Sequence, residues 1–151
     1  MSQLQPGDDA PNFKAQVTDG TWVQLSDYKG KNVILFFYPE DMTSGCTIEA
    51  CSFRDDKAKF DAKNTYIFGV SMDDLDLHKQ FTEKDNLNFP LIYDEGGKIC
   101  AAYGVPTSEG RYPKRWTFLI DKEGKIAKVY TTVKVREHSE ELQRDIEALA
   151  N

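Results

Sequence analysis

The stretch that decides the fold runs Val33-Ile34-Leu35-Phe36-Phe37-Tyr38-Pro39-Glu40-Asp41-Met42-Thr43-Ser44-Gly45-Cys46-Thr47-Ile48-Glu49-Ala50-Cys51. Its first six residues are apolar without alternation, the pattern of a strand covered on both faces, and Pro39 ends it. From Thr47 to about Lys63 the period turns helical. Ala50, Phe53 and Phe60 lie near one face, and charges such as Glu49, Arg54, Asp56 and Lys59 lie elsewhere. A buried strand, a short polar loop and a helix thus follow one another, with Cys46 at the first helical turn.

Working outward, the same alternation continues. Tyr66-Ile67-Phe68-Gly69-Val70 reads as a second buried strand, and Asp73 or Asp74 can cap a helix carrying Leu75, Leu77 and Phe81. Pro90-Leu91-Ile92-Tyr93 is a short strand, and Lys98 to Tyr103 a short helix stopped at Gly104. On the N-terminal side, Asp19-Gly20 between Phe13–Val17 and Trp22–Leu25 signals a hairpin, because Asp-Gly supplies the positive φ angles of a tight turn. Trp116–Ile120 and Ile126–Tyr130 flank the turn Asp121-Lys122-Glu123-Gly124, and a closing helix runs from Glu137 to Leu149. Strands alternating with helices imply a central sheet with helices on both faces. The last two strands are joined by a turn too short for a parallel crossover, so the sheet must be mixed. The fold class is α/β, as one domain over residues 1–151.

Composition narrows the function. A chain of 151 residues with 40% hydrophobic and 12% aromatic residues can build a real core, which excludes a disordered tail. The formal net charge of −6 disfavours nucleic acid and anionic lipid as main partners. The six-residue apolar run is far short of the roughly 20 needed to cross a bilayer. The first nine residues carry neither a basic start nor an apolar stretch, so they do not read as a secretory signal. The expected setting is the cytoplasm, where thiols stay reduced. Three cysteines are too few for a disulfide framework.

Cys46 is placed for chemistry. Ligands of open α/β sheets bind at the carboxyl ends of strands. The first turn of a helix offers free N–H groups and partial positive charge, which favour a thiolate over a thiol. An ordinary cysteine, with a pKa of about 8.5, is only a few per cent ionised at neutral pH, so such help matters. Thr43 can set a hydroxyl beside the sulfur, and Pro39 adds a rigid wall without an N–H. The alternative is a small residue filling a helix start. Cys51 is five residues on. In an intact helix that spacing separates the α-carbons by roughly 8–9 Å, whereas a disulfide needs about 4.4–6.8 Å. A bridge between the two would require the helix to unwind; otherwise Cys51 is a core residue. Cys100, among Ile99, Ala101 and Ala102, reads as a buried hydrophobe, with an alternative resolving thiol as the minority reading. His78 and His138 stand among charged residues and read as solvated. With Cys100 they are scattered candidates for a zinc site, which needs compact spacing. Arg115 by itself reads as a solvated charge at a strand end.

The segment Tyr38–Thr47, followed by Glu49-Ala50-Cys51-Ser52-Phe53-Arg54-Asp55, resembles the peroxiredoxins, and within them the bacterioferritin comigratory protein or peroxiredoxin Q branch. The family pattern Pro-x-x-x-Thr-x-x-Cys is met by Pro39, Thr43 and Cys46, and the branch's frequent second cysteine by Cys51. The likeness extends from Pro6-Gly7-Asp8 to the terminal helix. It implies a thioredoxin-like fold and a thiol peroxidase acting on hydrogen peroxide and organic hydroperoxides. By the same resemblance Cys46 becomes a sulfenic acid, Cys51 captures it as a disulfide, and thioredoxin or a similar dithiol protein reduces the product. The family's arginine before a late strand falls on Arg115, where it would hold the thiolate and the peroxide. The resemblance also implies no cofactor, no metal and a monomer. Met42 departs from the small or polar residue usual in the branch, and is expected to tune access to the pocket.

Two rivals start from the residues. A cysteine hydrolase would need a histidine base near Cys46 and leaves Cys51 unexplained. A thiol switch would use Cys46 without turnover.

Overall fold

The apolar run near residue 33 forms the middle of a sheet. The structure, a computed structural model, describes residues 3–149. Five strands lie in the order β5-β4-β3-β8-β9, where β3 is Asn32–Phe37, β4 Thr65–Ser71, β5 Leu91–Tyr93, β8 Thr117–Ile120 and β9 Ile126–Tyr130. The first three are mutually parallel, with Val33 opposite Tyr66 and Val70 opposite Ile92. The short 121–125 turn makes β8 and β9 antiparallel, and β8 runs antiparallel to β3 with Val33 opposite Ile120. The mixed sheet is as expected.

Every residue of β3 is buried, and successive side chains enter opposite cores. Ile34, Phe36 and Tyr38 face α1 (Ser44–Asp55), α2 (Lys57–Ala62), α3 (Leu75–Asp85) and α5 (His138–Leu149), meeting Ala50, Phe53, Phe60, Phe81, Leu142 and Ile146. Val33, Leu35 and Phe37 face α4 (Lys98–Tyr103) and the hairpin of β1 (Lys14–Gln16) with β2 (Trp22–Gln24). Phe36 sits between Tyr38, Phe53 and Phe89, with ring centroids at 5.5, 4.9 and 5.7 Å. Burying one such ring contributes about 1.5–3 kcal/mol.

Three features differ from the sequence reading. The helix expected from Thr47 to Lys63 starts at Ser44 and breaks at Asp56, whose φ and ψ are −98° and 7°. Asp56 Oδ2 accepts hydrogen bonds from Ser139 Oγ at 2.6 Å and Gln143 Nε2 at 3.2 Å, so α5 pulls on the joint. A small hairpin of β6 (Thr107–Ser108) and β7 (Tyr112–Pro113) fills a segment given no element by its pattern. Trp116 lies just outside β8, although its carbonyl accepts from Phe37 N at 2.7 Å. The closing helix, α3 with its Asp74 cap accepting from Leu77 N at 3.0 Å, and the N-terminal hairpin stand where the pattern puts them.

Candidate active site

β3 delivers the chain to Pro39, and a four-residue loop returns it into α1. Thr43 is the extended residue before α1, so Ser44, Gly45 and Cys46 form its first turn. Cys46 is 1% exposed, a free thiol under the α1 face of the sheet. Arg115 arrives from the segment after β7. Its Nη2 donates to Cys46 Sγ at 3.3 Å and its Nη1 to Glu49 Oε1 at 2.8 Å. A guanidinium can only donate, so the sulfur is the acceptor in this contact. Burial pulls the Arg115 pKa down, but Cys46 and Glu49 outweigh it and hold the group above its ordinary value.

Glu49 is the residue of this site that the sequence reading missed. It was placed among charges away from the core, yet it is 1% exposed. The available signal was its spacing, since residues three apart on a helix share a face and Cys46 points inward. Burial raises its pKa from 4.5 to about 7, against the opposing pull of Arg115. One carboxylate oxygen pairs with Arg115 and the other, Oε2, has no partner.

Thr43 lies beside the site, but its hydroxyl donates to the Glu40 carbonyl at 3.0 Å rather than to Cys46 Sγ. The reason is local: the loop folds back over Glu40 before α1 starts. Pro39 is half-buried at the end of the strand. Met42 holds a left-handed φ of 64° and packs against the Cys46 core.

Cys51 lies on the same unbroken helix as Cys46, half-buried and free. Burial pushes its thiol up, Arg54 pulls it down, and Asp85 and Asp55 add to the rise. Cys100 is 1% exposed in the opposite core, beyond the sheet from Cys46. Burial and the neighbouring Asp94 push its thiol well up.

The histidines are not solvated, which corrects the sequence reading. His78 is fully buried, with Nδ1 2.6 Å from Asp41 Oδ2 and Nε2 2.9 Å from the Ile92 carbonyl. Asp41 also accepts from Tyr38 Oη at 2.5 Å, and its N–H donates to Asp73 Oδ2. This network pins the loop between Pro39 and Thr43 to α3 and β5. His138 is 1% exposed, between Phe53 and Tyr130 at ring distances of 6.0 and 5.0 Å, with Nδ1 2.8 Å from Glu141. Neither histidine hydrogen-bonds Cys46, and among the described residues no cluster of three or more His, Cys, Asp or Glu side chains could hold a metal. No helix among those residues is long and apolar enough to cross a membrane.

The chain as a whole has counterparts among known proteins. The AhpC/TSA family model matches residues 6–129.

This chain belongs to the AhpC/TSA family.

Its relatives are peroxiredoxins. Peroxiredoxin Bcp from Bacillus subtilis is 43% identical over 141 residues, covering 89% of this chain and 90% of that one. A chloroplastic peroxiredoxin Q from Oryza sativa subsp. japonica is 42% identical over 129 residues, 85% of this chain and 59% of the longer plant protein. Among solved structures, a cysteine-to-serine mutant of PrxQ from Xylella fastidiosa superposes with a TM-score of 0.92 at 30% identity over all of both chains. Peroxidoxin BcpB from Mycobacterium tuberculosis gives 0.89 at 32% identity over 97% and 98% of the two chains. The peroxiredoxin resemblance of the 38–55 segment therefore extends to the whole fold, which is thioredoxin-like, and the chain is a thiol-dependent peroxidase of the Bcp and peroxiredoxin Q type.

Proposed function

We propose that Cys46 is the peroxidatic nucleophile and Cys51 its resolving partner. The observation that carries this reading is the 3.3 Å contact from Arg115 Nη2 to Cys46 Sγ. The Cys46 thiolate attacks one oxygen of a hydroperoxide, an S–O bond forms and the O–O bond breaks. The departing hydroxide or alkoxide takes a proton and leaves as water or an alcohol. Arg115 stabilises the thiolate first and then the charge on the departing oxygen. Pro39 and Thr43 form the wall against which the peroxide lies, Pro39 by excluding water and Thr43 through the lone pairs its own hydrogen bond leaves free.

The second step is an intramolecular disulfide between Cys46 and Cys51. Spacing along an intact helix forbids that bond, so residues between the two must unwind in each cycle. Unwinding exposes the disulfide to a dithiol protein such as thioredoxin, which returns both thiols. The enzyme works as a single-domain monomer in the cytoplasm, with no metal or organic cofactor in the cycle.

The test is peroxide turnover with thioredoxin, thioredoxin reductase and NADPH for Cys46→Ser, Cys51→Ser and Cys100→Ser. Cys46→Ser should be dead and Cys100→Ser close to normal. Cys51→Ser should react once and stall. A fully active Cys46→Ser ends this reading.

A further inference from the structure

The C-terminal ends of α1 and α3 cap each other. The last carbonyls of a helix have no donor within it. Arg54, in the last turn of α1, donates through Nη1 to the carbonyl of Asp85, the final residue of α3, at 2.5 Å. Asn88 returns the contact, donating through Nδ2 to the carbonyl of Arg54 at 3.1 Å. Between them Asn86 turns the chain at a φ of 51°, and Leu87 N donates back to the Thr82 carbonyl at 3.0 Å. Phe89 follows, packed edge-on against Phe53 of α1 at 6.5 Å. The Arg54 charge also meets the negative end of the α3 dipole.

The start of α1 is held differently. Its contacts to Arg115 run through Cys46 Sγ, the atom that reacts, and through Glu49. Adding oxygen to Cys46 changes the first of these and leaves the Arg54 and Asn88 bonds untouched. The helix therefore has one end that oxidation can release and one that it cannot. Both clasp bonds lie beyond Cys51 in sequence, so the unwinding that a Cys46–Cys51 bond needs does not require them to break. A remnant of one turn would not persist unaided, because an isolated helical turn costs more to nucleate than its hydrogen bonds return.

We infer that Arg54 and Asn88 are positioning residues for the disulfide step: they anchor the Cys51 end of α1, so that unwinding stops near residue 51 and Cys46 travels to a thiol that stays in place. This rests on the assignment of Cys51 as the resolving thiol. In the step itself the Cys51 sulfur gives an electron pair to the Cys46 sulfur of the sulfenic acid. The S–S bond forms, the S–O bond breaks, and hydroxide leaves with the Cys51 proton as water.

The test combines amide hydrogen exchange on the full chain, before and after one equivalent of hydrogen peroxide, with rapid-quench timing of each step. In the oxidised wild type the amides of residues 55 and 56, whose acceptors are the Cys51 and Ser52 carbonyls, should keep their protection, while those of residues 47–54, whose acceptors precede Cys51, lose it. In Asn88→Ala that protection should vanish along all of α1. Its disulfide step should slow by roughly fivefold, the effect of losing one helix cap, with sulfenic acid formation unchanged. Arg54→Ala should repeat the pattern, and Arg54→Lys, which keeps a donor and a charge, should recover part of it. Uniform loss of protection across α1 in the oxidised wild type overturns the inference, as does an Asn88→Ala disulfide formed at wild-type speed or faster. Peptide mapping separates the two levels: Cys46 bonded to a partner other than Cys51 refutes the resolving assignment itself and the clasp with it.

Discussion

The guanidinium of Arg115 lies against the α-carbon of Gly45, where an added Cβ would stand 3.0 Å from Nη2. Gly45 has no positive φ, so its lack of a side chain serves the arginine and not the backbone. Gly45→Ala should fold normally and push the guanidinium a few tenths of an ångström off the sulfur. Misplacing a stabilising group costs rate steeply. The expected loss is about tenfold in the second-order reaction with hydrogen peroxide, measured by stopped flow. A thermal midpoint close to wild type would show that the fold is intact.

Glu49 makes the site sensitive to pH. Its carboxyl is raised from 4.5 to about 7 by burial, so it binds a proton more readily folded than unfolded. Stability from this group is fully present below pH 4.5 and is lost as pH rises through about 7. Between pH 5 and 8, unfolding in urea should show wild type losing stability relative to Glu49→Gln. The peroxide rate should carry an inflection near pH 7 that the Gln variant lacks, since above it the carboxylate shares the Arg115 charge with Cys46.

The Asp41–His78 pair is a fixed element of the loop. Both side chains are buried, and the contact is 2.6 Å. Removing one member leaves the other's polar atom buried without that hydrogen bond, at a cost of about 1–3 kcal/mol. His78→Ala should lose that much in urea unfolding and release the Pro39–Thr43 loop, seen as faster amide exchange there. Equal protection in variant and wild type would dissociate the pair from the loop.

Gly69 tests the packing behind the site. A Cβ there would approach Leu91 Cδ2 and Phe36 Cζ to 2.8 Å. Gly69→Ala should destabilise by about 1–3 kcal/mol through overpacking, with a lowered thermal midpoint.

Local patterns in the sequence reached some of these features and not others. The unalternating run from Val33 to Tyr38 announced a strand buried on both faces, and the Pro39, Thr43 and Cys46 spacing announced the loop. Both are properties of neighbouring residues. For Glu49 the helical spacing marks only the face it shares with Cys46; its partner Arg115 lies 66 residues away in the chain. His78 sits among charged neighbours, and only the fold brings it to Asp41, 37 residues earlier. The break at Asp56 depends on Ser139, 83 residues on, so the helical period runs through a joint it cannot register. Arg115 alone looked like a surface charge, and the family pattern, rather than composition, assigned its role. Cys51 shows the converse: its spacing stated a geometric obstacle without saying whether chemistry overcomes it.

The five-stranded sheet has one further effect. It divides the thiols, with Cys46 and Cys51 on the helix of one face and Cys100 sealed under the other. Disulfide exchange demands collinear approach of three sulfurs, and a continuous wall of main chain prevents it here. In the proposed Cys46–Cys51 cycle that wall would keep Cys100 out of the exchange, so the third thiol sits behind an insulator while the other two are repeatedly oxidised.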